Sequence, residues 1–314
     1  MLTVLEVTVP VFALVFCGWI AARRYLLSTE GIDGINTFVF MFALPPMMFR
    51  AMSAYPVSEY FDIRFVAAYL VTALIIFFGS RALAGAKTSD RTQGIGLAFA
   101  ATHGNIGYLG LPLIAQLGDP RRLPGIAMAL IVDIFVVIVM SIVLFEFART
   151  SNQAVISRAA RIQKSIVGLL KTPLILGIIA GIVFSSAGWK LPASADTFVK
   201  LLGSAAGPCA LFGIGASLGA RKTVIDRTVS GLIAIKLVIH PALMAVAMLV
   251  FRVEPGMAAV GIRAAGLPTA SNAFILSQRY GVDTRQMTAA IVLGTFMAAA
   301  SVSCIIWLLA IPIG

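Results

Sequence analysis

The sequence predicts an all-α membrane protein of about ten transmembrane helices, in two five-helix halves of inverted topology, with the fourth and ninth helices broken in mid-span. Three observations lead there. Hydrophobic residues fill 60% of the 314 positions and charged residues 12%, and the mean hydropathy is +0.98, which leaves too little polar surface for a soluble domain. The apolar residues fall into runs of about 20, the length that crosses a bilayer as a helix. Two of the runs carry proline, glycine and asparagine in their middles: Ala100 to Pro112, and Ala264 to Asn272.

Taken in order, the runs place spans at 3–22, 33–53, 62–81, 92–117, 123–147, 167–187, 196–219, 228–251, 256–279 and 286–311. The first starts close to Met1 with neither a charged leader nor a convincing cleavage site, so it reads as a retained helix. The connection near Thr150 to Ser165 bisects the chain into a first five-helix repeat (1–150), a cytoplasmic connection (151–165) and a second repeat (166–314). Because five is odd, the second half enters the membrane from the opposite face. The halves rhyme weakly: Ala43-Leu44-Pro45-Pro46 is answered by Ala206-Gly207-Pro208-Cys209, and Pro112 by Pro268. Connections after odd-numbered spans hold about twice the Lys and Arg of the others, which puts them in the cytoplasm and both termini outside, on the periplasmic face. Arg158, Arg161 and Lys164 stand at helical spacing and lay the central connection along the anionic membrane surface.

This organisation excludes several functions. The net charge of +11 sits in short connections and reads as a topology signal, not as a nucleic-acid surface. Cys17, Cys209 and Cys304 fall inside spans, are odd in number and lack metal-site spacing; they read as small core residues. There is no enzyme constellation, no cofactor motif and no phosphate-binding loop, so neither an enzyme nor an ATP-driven pump is indicated.

The candidate site residues surround the two interruptions. A proline removes a backbone donor, and such a break is tolerated in hydrocarbon only where protein covers it or it lines a cavity. Asn105, Tyr108 and Pro112 would share one face of a continuous helix, although Gly104, Gly107 and Gly110 weaken continuity. Thr269, Ser271 and Asn272 follow Pro268. Freed amides and half-helix ends at such places bind ions or carboxylates, and paired breaks in corresponding halves point to the substrate site of a secondary transporter. The competing readings are close helix packing at the glycines and hydroxyls bonded back to helix carbonyls.

Asp133 is the one acid near a span centre, and His103 one helix earlier is its natural partner; together they read as a proton or ion-coupling pair, or as a structural hydrogen bond. Lys236 shares a helix face with His240, and Arg263 lies within the ninth span. Either cation could attract an anionic substrate, or snorkel to the interface.

At these residues the whole chain resembles the auxin efflux carrier family, which includes plant PIN-type auxin transporters and bacterial members proposed to carry malonate or malate. The resemblance rests on Asn105-Ile-Gly-Tyr-Leu-Gly-Leu-Pro112-Leu113 and on Gly266-Leu-Pro268-Thr-Ala-Ser-Asn272, continued by Arg279-Tyr-Gly-Val-Asp283. Leu44-Pro45 and Gly213-Ile-Gly-Ala-Ser-Leu218 support it. It implies that the fourth and ninth helices cross at their proline breaks, that a scaffold bundle and a mobile bundle exchange access by an elevator-type movement, and that the protein is a homodimer. It also implies an anion held beside the crossover by helix ends and a neutral side chain, with Asn105, Pro112 and Pro268 as site positions. The long hydrophilic central loop of many plant members is missing here, and His103 and Asp133 match no part of the pattern.

The function expected is therefore secondary transport of a small organic anion, a dicarboxylate such as malonate or malate, in a bacterial inner membrane. An exporter of aromatic or monocarboxylic acids, a cation/proton antiporter and a channel are the alternatives. Antiporters of related architecture use two adjacent membrane acids where this chain has only Asp133 at mid-span, and a channel needs a continuous pore where paired breaks suit an occluded site.

Overall fold

The computed structural model describes residues 2–54, 61–85, 90–116, 123–148, 157–219 and 225–309. They form the helices α1 (Leu2–Arg23), α2 (Thr29–Ser53), α3 (Ile63–Gly85), α4 (Arg91–Thr102), α5 (Ile106–Gln116), α6 (Leu123–Ala148) and α7 (Arg158–Leu170). The chain continues through α8 (Pro173–Ser186), α9 (Ala193–Gly219), α10 (Arg227–Val250), α11 (Pro255–Ala265), α12 (Ser271–Arg279) and α13 (Arg285–Leu308).

The expected count of ten spans is corrected. Among the described residues six helices are long and apolar enough to cross a membrane, α2, α3, α6, α9, α10 and α13, or up to seven if the α7–α8 pair, bent by 65°, is one span. No arrangement of two five-helix inverted repeats is shown. For the fourth and ninth expected spans the physical reason lies in the breaks. At 1.5 Å per residue, the 12 residues of α4 and the 11 of α11 reach about half of a 30 Å hydrocarbon core. Hydropathy windows run straight over interruptions of three residues (103–105) and five (266–270), so a broken pair looks like one span.

The chain divides instead into two compact units, each drawn from both halves of the sequence. One contains Met1–Asp62, Ile106–Met128 and Leu170–Arg221; the other contains Ile63–Asn105, Ala129–Leu169 and Lys222–Gly314.

In the first unit, small residues set the packing. A methyl added at Gly18 of α1 would overlap the main chain of α9 at Phe212, and one at Gly215 would overlap α1 at Val15. Apolar attraction between helices is weak in lipid, so such close backbone approach is what gains contact. The same device brings α8 onto α2, where Gly177 faces the main chain of Pro45. Cys17 and Cys304 are exposed, which corrects their assignment to the core. A membrane protein's outer surface is itself apolar, so a small apolar residue has no need to turn inward. Phe16, Phe42 and Leu176 of the first unit are likewise exposed, as are Ile75 and Val246 of the second.

In the second unit, α6 and α10 each contain a π-helical turn, Asp133–Ile138 and Ile235–Ile239. Such turns insert one residue into the hydrogen-bond ladder and occur often at functional positions. Here they carry the ionisable residues Asp133 and Lys236.

Candidate functional site

The site is built at the two breaks, both inside the second unit. Helix α4 stops at Thr102 because His103 turns extended, with φ −70° and ψ 112°. Helix α11 stops at Ala265, ahead of Gly266 and Pro268. The released segments then pair with each other. Gly104 and Thr269 form an isolated antiparallel bridge. The Asn105 amide donates to the Pro268 carbonyl at 2.9 Å, and the Ala270 amide donates to the His103 carbonyl at 3.2 Å. The Thr269 hydroxyl donates at 2.8 Å to the carbonyl of Ala100, in the last turn of α4. Backbone groups that hydrocarbon would leave unsatisfied are met here by the opposite break.

Around this bridge lies a buried polar cluster. Asn105, Thr269 and His103 are 4%, 3% and 3% exposed, Asp133 is 1% and Lys236 2%. His103 stacks on Phe99, with ring centroids 5.0 Å apart, and turns Nδ1 onto the Asp133 carboxylate. Lys236 donates to the Ala265 carbonyl, the C-terminal residue of α11, at 2.8 Å, and its Nζ lies 3.1 Å from His240 Nδ1. Asp133 is within electrostatic reach of both Lys236 and Tyr69. Gly104 is the point of closest approach: a Cβ there would sit 3.2 Å from Lys236 Nζ and 3.4 Å from the Ala264 carbonyl.

The residues singled out in the sequence thus separate into groups. Asn105, Pro268 and Thr269 are brought together, with Ser271 opening α12 half-buried beside them. Asn272 is the second residue of α12, and its side chain lies outside the described set. His103 and Asp133 meet as expected. Lys236 is held inside by a main-chain carbonyl and so does not snorkel, and Arg263 is buried at 5% exposure. Tyr108 and Pro112 belong to the first unit, where Tyr108 stacks on Phe40 at 6.5 Å and Pro112 packs near Gly207. The shared face expected for Asn105, Tyr108 and Pro112 is not formed, because Asn105 precedes the helix and Ile106–Gly110 is π-helical, so the 3.6-residue register is lost.

Three participants escaped the sequence reading. Tyr69 reads as an ordinary aromatic in an apolar span. Glu146 reads as a span-end acid but is 4% exposed, accepting from Arg161 Nε at 2.7 Å and from the Tyr280 hydroxyl at 3.0 Å. Tyr280 also stacks on Phe145 at 4.6 Å, which fastens the end of α12 to α6. An acid near the end of an otherwise apolar helix, with an arginine following on an amphipathic one, is the signal that could have found that pair. No group of His, Cys, Asp and Glu with metal-binding geometry occurs among the described residues.

Residues 3–307 match the family model described as membrane transport protein, and the chain belongs to that family. It is 31% identical to a putative malonate transporter of Rhizobium meliloti, across 96% of this chain and 94% of that protein. It is 24% identical to the uncharacterized transporter YfdV of Escherichia coli, across 90% of each. It is 22% identical to auxin efflux carrier component 8 of Arabidopsis thaliana, across 94% of each. The protein is an integral membrane transporter that moves a small solute by secondary transport, and its family is one of transport, not catalysis.

Proposed function

We propose that the solute is a small carboxylate, a dicarboxylate such as malonate, bound at the paired breaks of the second unit. The observation that carries this reading is the bridge between Gly104 and Thr269, which gathers Asn105, Pro268 and Thr269 in one buried place beside the start of α12. A helix N-terminus offers partial positive charge to an anion, and Asn105 offers a neutral amide that binds a carboxylate without a second buried charge. The likeness to a putative malonate transporter along nearly the whole chain supports the substrate class. Both breaks fall within one compact unit, as an elevator-type carrier would require if its site travels as a body. The same reading has the protein as a homodimer in a bacterial inner membrane, with its Lys- and Arg-rich connections cytoplasmic.

The experiment is uptake by proteoliposomes of labelled malonate, malate and the monocarboxylate indole-3-acetate, with the membrane potential and proton gradient set separately. Malonate or malate is expected to accumulate and to compete with each other, with indole-3-acetate weaker. Dominant indole-3-acetate transport would replace the dicarboxylate reading, and uptake of neutral or cationic analogues at equal rates would end the anion reading.

A further inference from the structure

Lys236 sits where a cation is called for by the backbone around it. Helix α11 ends in the membrane-embedded unit at Ala265, and the last carbonyls of any helix lack partners from the following turn. The Ala264 carbonyl takes the Leu267 amide at 3.3 Å, but the Ala265 carbonyl takes the Lys236 ammonium. This is the negative end of a short helix, where a cation is favoured. Asp133, on α6, lies within electrostatic reach. Gly104, on the opposing segment, leaves the space beside Nζ open, since a Cβ there would lie 3.2 Å from it. From its own helix Lys236 faces His240, with Nζ 3.1 Å from His240 Nδ1.

A half-helix C-terminus, unwound carbonyls and a carboxylate at a helix break form the setting in which other broken-helix carriers hold a coupling sodium ion. We infer that the Lys236 ammonium is a tethered cation filling the monovalent-cation position at the α11 break, so that the carrier takes no metal ion from solution there. An ammonium has one charge and three donors, enough to meet one carbonyl and one imidazole with a donor to spare. The inference assigns Lys236 to holding the break, not to binding the substrate. Its transport arm rests on the carrier reading, whereas its ion-binding arm needs no substrate at all.

The test compares wild type, Lys236→Ala and Lys236→Met, purified in detergent and melted at constant ionic strength in choline, sodium and ethylammonium chloride. Wild type should melt at the same temperature in choline and sodium, and its malonate uptake should not require sodium. Lys236→Ala, which opens a cavity lined by the Ala265 carbonyl and His240, should gain about 3 °C or more in ethylammonium or sodium, saturably, and no more than wild type in choline. The same ions should restore its uptake. Lys236→Met fills the volume without charge; it should fold, respond to no ion and lose at least tenfold in uptake. A saturable sodium requirement in wild type would overturn the inference, as would wild-type uptake by Lys236→Met or a folded Lys236→Ala indifferent to every cation. Should Lys236→Ala fail to fold, the wild-type sodium response and Lys236→Met decide alone. Ion responses as stated with no malonate uptake by any protein would keep the tethered cation and remove only the substrate reading.

Discussion

The main-chain amide of Asn105 donates to the carbonyl of Pro268 at 2.9 Å, so each broken segment closes the backbone that the other leaves open. Neither break is tenable alone in a dry environment, where an unpaired amide costs several kcal/mol. The two interruptions are therefore one structural object, and changes on either side should be felt on the other.

Gly104→Ala places a methyl 3.2 Å from Lys236 Nζ and 3.4 Å from the Ala264 carbonyl, so the bridge must shift. At Gly107 nothing lies within 4 Å of the added carbon. Gly104→Ala should lower the melting temperature and the uptake rate together, whereas Gly107→Ala should leave the melting temperature within about 1 °C, since surface changes away from special features are small. Equal melting temperatures for the two would show that the close approach at Gly104 is not as described.

Thr269→Val keeps the shape of the side chain and removes the donor to Ala100. The buried acceptor left behind costs about 1–3 kcal/mol, and Thr269→Ser should recover most of it. Thermal unfolding of the three proteins decides. If Val and Ser variants unfold alike, the hydroxyl contributes nothing to the bridge.

Asn105→Ala leaves the amide–carbonyl bond to Pro268 in place and deletes only the side chain. One neutral hydrogen bond in a dry site contributes on the order of 1 kcal/mol, so the apparent Kd for malonate should rise about fivefold with folding intact. Isothermal titration on the folded variant provides the measurement, and unchanged affinity would move the substrate away from Asn105.

Asp133→Asn retains size and hydrogen-bonding capacity beside His103 while removing the exchangeable acid proton. If the pair carries a proton during transport, accumulation driven by a proton gradient should disappear while counterflow exchange of malonate persists. Unchanged proton-driven accumulation would make the contact structural.

Asp90 caps α4 ahead of its first turn, accepting from the Thr92 amide at 2.8 Å and the Thr92 hydroxyl at 2.6 Å. The Thr92 hydroxyl bond, followed by the backbone amides, holds its carboxyl below the usual aspartate range. A depressed folded-state value means that the stabilisation is present above the unfolded aspartate pKa near 3.9 and is lost as pH falls through the lower folded value. Asp90→Ala should cost about 0.5–1 kcal/mol at neutral pH, toward the low end because the site is exposed, and the gap from wild type should close as the pH falls through the folded-state value. A gap that persists in acid would mean the carboxylate is not its source.

Much of this protein was determined by composition and by single residues. Membrane insertion follows from the apolar runs, and the interruptions are marked by Pro268, which lacks the amide a helical turn needs, and by Gly104 and Asn105, which are poor helix formers. The contact between His103 and Asp133 was also legible, because a mid-span acid must find a partner. What only the tertiary structure decided depends on pairing between distant segments. Periodicity treats α4 with α5 and α11 with α12 as single rods, whereas in the fold α4 and α11 stop short and the bridge between Gly104 and Thr269 joins their ends. Two units drawn from both halves of the chain cannot be seen from hydropathy, which has no term for which helix lies beside which. Lys236 read as a group free to reach the interface or an anion, and became an interior cation because the carbonyl end of α11, one helix later in the chain, was brought against it. A lone polar side chain announces that it needs a partner, but only the folded chain supplies the partner's identity.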